Sequence, residues 1–372
     1  MNNDRARGAL LGLAVGDAMG APTEGMTLPA IREKWGRVRG FVDPDAAGTD
    51  DTEYAVLCAR GVLRAGADLT SAVVADTWLE ALRAQRTGFN RAGFSEMIAI
   101  ANLHAGMAPP ASGQRNAETW SDGAAMRVAP IGVYAAGDPA LAIRMARADA
   151  EVSHSRDGIW CAQAIAAGVA VAMVADDVDP VLDAMLAAMP EDSWAARLAR
   201  RALDVAARAG SPEEAEEALF ATIPLRHYMW ADVAPEAVAL TIGLLRANDG
   251  TLGAIESGVN IGRDSDTIAA MAGAVAGALH GASALDPAHV AQVRSVTGQC
   301  IAATAGTDLV DLADALAERA AADRAAAGRA TTDRATTDRA TTDRVTTDRV
   351  TTDRVTTDDG RGDADRGKET RA

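Results

Sequence analysis

Two short clusters of oxygen-bearing side chains stand directly ahead of apolar segments in this sequence. The first lies in GTDDTEYAVLCARGVL and the second in GRDSDTIAAMAGAVAGALHG. Their members are Thr49, Asp50 and Asp51, and Asp264, Asp266 and Thr267. An aspartate or threonine ahead of an apolar run is typical of a helix N-cap, which needs only one side-chain oxygen. Capping therefore explains part of each cluster and leaves carboxylates over.

The surplus carboxylates indicate a metal site if the two clusters meet in space. Four negative charges brought together would repel one another unless cations lay among them. Carboxylate and hydroxyl oxygens are hard ligands that suit Mg²⁺ or Mn²⁺, whereas zinc prefers His or Cys. This many oxygens can hold two ions. Asp-x-Asp-Thr alone would also suit a haloacid dehalogenase-like site, but that fold needs an apolar strand before the aspartate, and GVNIGR is a poor one.

The segments that must position these clusters have the pattern of helices. Helical periodicity runs through DLTSAVVADTWLEALRAQ and DLVDLADALAERAAADRAAA, and both begin with an aspartate suited to capping. Aromatic residues make up 3% of the chain and most of the apolar content is alanine, which favours helices over sheets. We predict an all-α fold, with one compact helical domain over residues 5–325.

Glycines recur every fourth residue in two of the predicted helices. They are Gly8, Gly12, Gly16 and Gly20, and Gly273, Gly277 and Gly281. Each series would line one helix face. Glycine inside a helix costs up to about 1 kcal/mol relative to alanine, so the stripes need compensation from close backbone packing or from a ligand that requires room. Helix packing is the favoured interpretation.

Composition and charge restrict the partners and the compartment. The net charge of −16 argues against a nucleic-acid partner, which would be bound through clustered Lys and Arg, although metals and backbone amides still allow phosphorylated ligands. The three cysteines are far apart and suggest neither a zinc site nor disulfides. Asp17 interrupts the apolar N-terminal segment, and no cleavage pattern follows it. We expect a cytoplasmic protein.

Two further segments have a composition that predicts their structure. The run from Gly158 to Ala175 approaches the length of a membrane span, but its weakly hydrophobic alanines indicate a buried core helix. From Arg329 the chain repeats RATTD and then RVTTD with a period of five residues, which fits neither a helix nor a strand. We predict that residues 329–372 form a disordered tail, produced by repeat slippage rather than kept as a tether.

Three segments together resemble the ADP-ribosylglycohydrolase family. They are GALLGLAVGDAMGAPTE, GTDDTEYAV and NIGRDSDTIAAMAGAVAGALHG, and they occur in the family's order. The resemblance covers nearly all of the chain before the repeats. It implies a compact all-α bundle with a dinuclear Mg²⁺ or Mn²⁺ centre in a cleft. It also implies hydrolysis of the glycosidic bond between ADP-ribose and an acceptor, either a protein side chain such as arginine or serine or a small molecule.

The resemblance also assigns residues to the metal centre. The implied ligands are Thr49, Asp50 and Asp51 from one side, and Asp264, Asp266 and Thr267 from the other. Glu24 matches a family glutamate near the metals. The carboxylate that orients or deprotonates the attacking water would then be Glu24, Asp51 or Asp264.

A loop along the substrate is implied by WSDGAAMRVAPIG, which places Ser121, Asp122 and Gly123 against ADP-ribose. Asp122 stands where the family usually has asparagine, and a carboxylate there weakens contact with an anionic diphosphate. Gly123 still allows close approach of backbone amides.

Three other residues are weaker candidates for ligand contact. Arg263 stands where many relatives have glycine, and it either supplies a positive charge to the ligand or forms a surface ion pair. His154 matches a histidine common in the family, although a histidine at a helix end is more often structural. Trp230 would be able to stack on an adenine, but burial in the core is the favoured expectation.

Two alternatives to the ADP-ribosyl hydrolase stay open. One is a non-catalytic ADP-ribose binder or structural protein, although such a descendant need not keep so many charged ligands. The other is a metal-dependent hydrolase of a different nucleoside or nucleotide, which the residues at Asp122 and Arg263 keep open. The oligomeric state is not indicated by the sequence.

Overall fold

The structure is a computed structural model and describes residues 3–83, 85, 93–224 and 230–329. Within these residues the backbone is helical, with short 3₁₀ turns and three isolated β-bridges but no β-strand. The α-helices are α1 (Asn3–Gly20), α2 (Leu28–Trp35), α3 (Asp50–Ala65), α4 (Ser71–Leu82), α5 (Phe94–His104), α6 (Ala111–Gln114), α7 (Gly123–Arg127), α8 (Ala129–Tyr134), α9 (Pro139–Ala150), α10 (Asp157–Ala172), α11 (Asp179–Ala187), α12 (Trp194–Ala206), α13 (Pro212–Thr222), α14 (Ala234–Ala247), α15 (Thr251–Ile261), α16 (Ser265–His280), α17 (Pro287–Val293) and α18 (309–329). The prediction of an all-α fold is confirmed.

The chain divides into two compact units, residues 1–321 and 322–372. The first contains α1 to α17. The described part of the second, residues 322–329, is helical. The predicted tail over residues 329–372 lies outside the described residues apart from residue 329, and its disorder stays a prediction.

The two glycine stripes pack against each other. A Cβ atom at Gly12 would overlap the carbonyl oxygen of Gly273, and one at Gly277 would overlap the carbonyl oxygen of Gly8. The pairing runs in opposite directions along the two helices, so α1 and α16 are antiparallel. Close backbone packing therefore accounts for the stripes, and it places the C-terminal end of α1 beside the N-terminal end of α16.

The central helices are buried on nearly every side. In α16, every residue from Ser265 to Leu279 is buried, and α1 is buried from Gly8 to Gly20. A helix that is apolar all round belongs inside a core. The alanine-rich stretch that begins at Gly158 forms most of α10, which is also buried as predicted. Among the described residues, no helix combines the length and the apolarity that crossing a membrane requires.

Candidate metal centre and cleft

A cleft of about 820 Å³ lies where the N-terminal ends of α3 and α16 meet the C-terminal end of α1. The start of α5, the turn into α7 and the residues ahead of α14 complete its walls. Of the lining residues that the structure describes, ten are acidic and none is Lys, Arg or His. The acidic residues are Glu24, Asp43, Asp45, Asp50, Asp51, Glu96, Asp122, Asp232, Asp264 and Asp266. Such a concentration of carboxylates attracts cations.

Asp17, on α1, fixes the start of α3. Its carboxylate accepts hydrogen bonds from the backbone N–H groups of Thr49 and Thr52, at 2.7 and 3.0 Å. It also accepts the hydroxyls of the same two threonines, at 2.6 and 2.5 Å. Asp17 therefore caps α3 from a different helix. The sequence showed only that an acid interrupts an apolar segment, and this role was not predicted.

Because Asp17 supplies the cap, the carboxylates of Asp50 and Asp51 are not used for capping. The same holds at α16, where Asp264 is the N-cap residue but its side chain makes no capping hydrogen bond. The two clusters meet, since the hydroxyl of Thr267 lies 3.5 Å from Oδ2 of Asp51. Helix capping thus does not account for the surplus carboxylates.

The carboxylates at this junction form two overlapping groups. Oxygens of Asp17, Asp51 and Asp266 lie within 4.8 Å of one another, and so do oxygens of Glu24, Asp264 and Asp266. Oδ1 of Asp51 is buried and has no hydrogen-bond partner among the described residues. A buried oxygen of this kind is suited to ligate a cation. Carboxylate oxygens of this kind would suit a hard cation such as Mg²⁺ or Mn²⁺, and Asp266 belongs to both groups.

Burial and mutual repulsion disfavour ionisation of these acids. Burial raises the pKa values of Asp51, Asp264 and Asp266 well above the ordinary carboxyl value, and the neighbouring carboxylates raise them further. For Asp17, burial again raises the pKa, but the hydrogen bonds from Thr49 and Thr52 oppose the shift. A bound cation would favour the ionised form of all four groups.

The other predicted cleft residues lie on two walls. Glu24 is exposed on the turn that follows α1, and its carboxylate belongs to the second group. Ser121, Asp122 and Gly123 form the opposite wall at the start of α7. A Cβ atom at Gly123 would overlap the carboxylate of Glu96, so a larger residue there would have to displace that carboxylate. These predicted residues therefore all face one cleft.

Asp122 is the wall residue with the least favourable surroundings for a charge. Its side chain is buried, and in the part of the chain that the structure describes Oδ2 has no hydrogen-bond partner. Burial raises its pKa well above the ordinary value, and the nearby carboxylate of Asp232 raises it further. Asp232 also lines the cleft, and sequence reasoning did not single it out.

Two predicted ligand-binding residues, His154 and Arg263, do not line this cleft. The imidazole of His154 is buried, with Nε2 3.1 Å from the Ser121 hydroxyl and Nδ1 2.7 Å from the Ser153 hydroxyl. Burial lowers its pKa well below the ordinary value, which favours the neutral ring. The guanidinium of Arg263 forms an ion pair with Glu236. Contact of either residue with a ligand stays a prediction.

His154 belongs to a closed ring of buried side chains joined by hydrogen bonds. In order around the ring, the members are Glu96, Arg127, Ser153, His154, Ser121 and Ser95. Arg127 also forms a 2.7 Å ion pair with Asp149, so its buried charge is compensated. The ring holds Ser121 and Glu96 against the cleft. Sequence reasoning missed Glu96 and Arg127, although an arginine inside GAAMRVAPIG is a visible signal.

Trp230 lies at the cleft rather than in the core. Its side chain is 47% exposed, and Phe94 beside it is 54% exposed, with the ring centroids 6.0 Å apart. Both line the cleft. The expectation of core burial was wrong because Trp230 sits on the irregular segment ahead of α14, where no helix face directs it inward.

Comparison with known proteins agrees with this architecture. The sequence model of the family described as ADP-ribosylglycohydrolase matches residues 2–326. A protein of Archaeoglobus fulgidus of uncharacterised function is 33% identical over 288 residues, which are 74% of this chain and 87% of that protein. An ADP-ribosylarginine hydrolase of Pseudomonas putida is 27% identical over 300 residues, which are 78% of this chain and 74% of that protein.

A solved structure described as an ADP-ribosylglycohydrolase-related protein complex shares the fold. Its TM-score is 0.60 at 24% identity, and the match covers 86% of this chain and 98% of that one. The family match extends over most of the chain and includes every cleft residue described above. The chain therefore belongs to the ADP-ribosylglycohydrolase family.

Proposed function

We propose that this protein is a metal-dependent hydrolase that cleaves the glycosidic bond between ADP-ribose and an acceptor and releases ADP-ribose. The observation that carries the proposal is the meeting of two carboxylate groups, joined at Asp266, on the floor of a cleft. Family membership supports hydrolytic activity, and the relative named as an ADP-ribosylarginine hydrolase supports an ADP-ribosyl substrate.

The proposed cofactor is a pair of Mg²⁺ or Mn²⁺ ions. We propose that the side chains of the two sequence clusters hold them, namely Thr49, Asp50, Asp51, Asp264, Asp266 and Thr267. Of these, Asp51, Asp264 and Asp266 belong to the two carboxylate groups, which also contain Asp17 and Glu24. Such ions hold ribose hydroxyls in place and lower the pKa of water. Oxygen ligands of this kind favour either ion over zinc. Asp17 orients the α3 side of the centre through Thr49 and Thr52.

We assign the remaining catalytic roles to the carboxylates according to their exposure to solvent. Glu24 is exposed and lies at the edge of the second group, so it is the acid best placed to accept a proton from water that enters from solvent. Asp51 and Asp264 are buried, and we assign them to holding the reacting groups in orientation. Ser121 and Gly123 would contact the substrate from the opposite wall.

The test is release of free ADP-ribose from peptides that carry ADP-ribosylarginine or ADP-ribosylserine, with Mg²⁺, with Mn²⁺ and with chelator. Metal-dependent release from one peptide would establish the reaction and identify the linkage. Asp264→Asn should abolish release while circular dichroism stays unchanged. Asp45→Asn removes an exposed carboxylate from the same cleft but from neither group, and should keep the activity.

A second candidate is hydrolysis of a nucleoside-type substrate that carries no diphosphate. The observation that favours it is the pair of carboxylates, Asp122 and Asp232, on the wall where the family loop would follow a diphosphate. Metal-dependent release of ribose from nucleosides, with no release of ADP-ribose from either peptide, would select it. Metal-dependent binding of ADP-ribose in calorimetry without turnover of any substrate would instead indicate a non-catalytic binder.

A further inference from the structure

Arg263 has a backbone conformation that arginine seldom adopts. Its φ is +63°, in the left-handed region, and it lies between Gly262 and the cleft residue Asp264. A side chain with a Cβ atom costs free energy there, and such strain persists only where surrounding contacts hold it. The contacts of Arg263 therefore indicate what its side chain does.

The backbone of Arg263 holds the turn that carries Glu24. Its carbonyl oxygen accepts a hydrogen bond of 2.7 Å from the N–H of Gly25, and its own N–H donates one of 2.8 Å to the carbonyl of Met26. These bonds need no side chain. Glycine at position 263 would keep them and would remove the strain.

The side chain of Arg263 holds a different segment, the one that carries Trp230. Its Nε lies 2.5 Å from Oε1 of Glu236, and its Nη2 donates a hydrogen bond of 2.9 Å to the carbonyl oxygen of Trp230. Glu236 is buried in the first turn of α14, and the arginine side chain is only 16% exposed. The guanidinium therefore links the segment of residues 230–234, which we call the rim of the cleft, to the first turn of α14.

The rim of the cleft forms part of the wall that we propose to contact the substrate. Trp230 and Asp232 both line the cleft, and the carbonyl of Asp232 accepts a hydrogen bond of 3.2 Å from the N–H of Asp122. Movement of this segment would change the shape of the wall without moving Asp264, which is held by the start of α16. Arg263 thus connects the metal side of the cleft to its rim.

We propose that Arg263 is a positioning residue that fixes the Trp230 rim of the cleft, and so sets the affinity for substrate rather than the rate of its cleavage. Its effect on affinity rests on the proposed function, whereas its hold on the rim does not. An arginine suits this role because its planar fork reaches two acceptors at once, which a lysine ammonium does less well.

The experiment compares Arg263→Gly with the wild-type protein in two measurements. Hydrogen exchange read by mass spectrometry should show the amides of residues 231–234 exchanging about tenfold faster, with the interior of α16 unchanged. In steady-state kinetics with the cleaved ADP-ribosyl peptide, KM should rise about tenfold while kcat stays within about threefold. Arg263→Lys should give a smaller rise in KM.

Arg156→Gly is the matched control. Arg156 is the other described non-glycine residue with positive φ, at +51°, and it is exposed and outside the cleft lining. This variant should change neither exchange at residues 231–234 nor KM.

Unchanged exchange at residues 231–234 in Arg263→Gly would overturn the proposal, and so would a fall in kcat at constant KM. The exchange measurement needs no substrate. It therefore decides the hold on the rim even if no ADP-ribosyl peptide is cleaved, a result that would count against the proposed function alone.

Discussion

At the scale of single residues, Asp17 shows how a buried acid can serve a site indirectly. Its carboxylate accepts four hydrogen bonds from Thr49 and Thr52, and one of its oxygens also lies within 4.8 Å of oxygens of Asp51 and Asp266. Since Oδ2 of Asp17 accepts three of the four bonds, most of the hydrogen-bonding capacity of the carboxylate is used at the start of α3. Asp17 is therefore foremost a helix cap that orients Thr49, Asp50 and Asp51, the proposed metal ligands on α3.

Replacement of Asp17 should separate these roles. Asp17→Ala should lower the free energy of unfolding by about 2 kcal/mol, because the first turn of α3 loses its acceptor. Asp17→Asn should lower it less, because the amide oxygen still accepts. Urea unfolding in chelator measures both without a contribution from metal. An equal loss in the two variants would mean that the charge, and not the cap, is what matters.

Asp122 should weaken the binding of a negatively charged substrate. Asp122→Asn removes a buried carboxylate that has one unpartnered oxygen and lies beside Asp232. Above the raised pKa of Asp122, where its carboxylate is ionised, we expect the variant to bind ADP-ribose about tenfold more tightly than the wild-type protein, a gain of about 1.4 kcal/mol, because the diphosphate no longer faces that charge. Calorimetry in the presence of Mg²⁺ checks it. Unchanged or weaker binding would show that the diphosphate does not lie along this wall.

At the scale of elements, the contact between α1 and α16 brings together carboxylates of the proposed metal centre. Asp17 lies on the last turn of α1, and Asp266 lies on the first turn of α16. Antiparallel packing brings these ends together, and the glycines allow the two backbones to touch. The position of Asp266 relative to α3 therefore depends on residues one to several turns away from the cleft.

A methyl group in this contact should be poorly tolerated. Gly12→Ala would place its Cβ onto the carbonyl of Gly273, and backbone on both sides cannot repack. We expect a loss of about 3 kcal/mol in the free energy of unfolding, together with weaker metal binding. Gly61→Ala is the control, because a Cβ there would meet Leu69 at 3.6 Å in ordinary contact. That variant should be neutral, or more stable by up to about 1 kcal/mol. Equal effects of the two substitutions would argue against the glycine contact.

At the scale of the whole molecule, we expect the acidic cleft to link folding to cation binding. The folded chain brings together carboxyls from α1, α3, α16 and the turn at Glu24, which no short peptide would do. Their raised pKa values show that the metal-free fold tolerates the ionised cluster poorly. A bound cation should therefore stabilise the entire unit and not only the cleft.

In the metal-free protein, the free energy of unfolding should fall as pH rises. The pKa values of Asp51, Asp264 and Asp266 are raised in the folded state, so above the unfolded value of about 4 the folded protein holds protons that the unfolded chain has released. The contribution of these groups is fully present below that value and is lost as pH rises through the folded pKa values. Burial lowers the pKa of His154, which acts in the opposite direction below the unfolded histidine value of about 6.5, so in chelator Tm should fall from about pH 7 to about pH 9.

Excess Mg²⁺ should remove most of this fall, because the ion binds the ionised carboxylates. Asp264→Asn should show a shallower fall in chelator than the wild-type protein. A Tm in chelator that rises over this range, or that does not respond to Mg²⁺ at pH 8, would contradict the metal centre.

Local patterns in the sequence were enough to predict the helices, the close packing of the glycine stripes and the two clusters, because periodicity, capping residues and small side chains act within a few residues. The tertiary structure decided which of those groups meet. Three contacts join segments far apart in the chain: the cap that Asp17 provides to α3, the ring through Glu96 and Arg127, and the hydrogen bond from Arg263 to the carbonyl of Trp230. The exposure of the Trp230 side chain was also decided at this level. Only the packing of whole helices sets those distances, and a helical period carries no information about the neighbour that a helix end will meet.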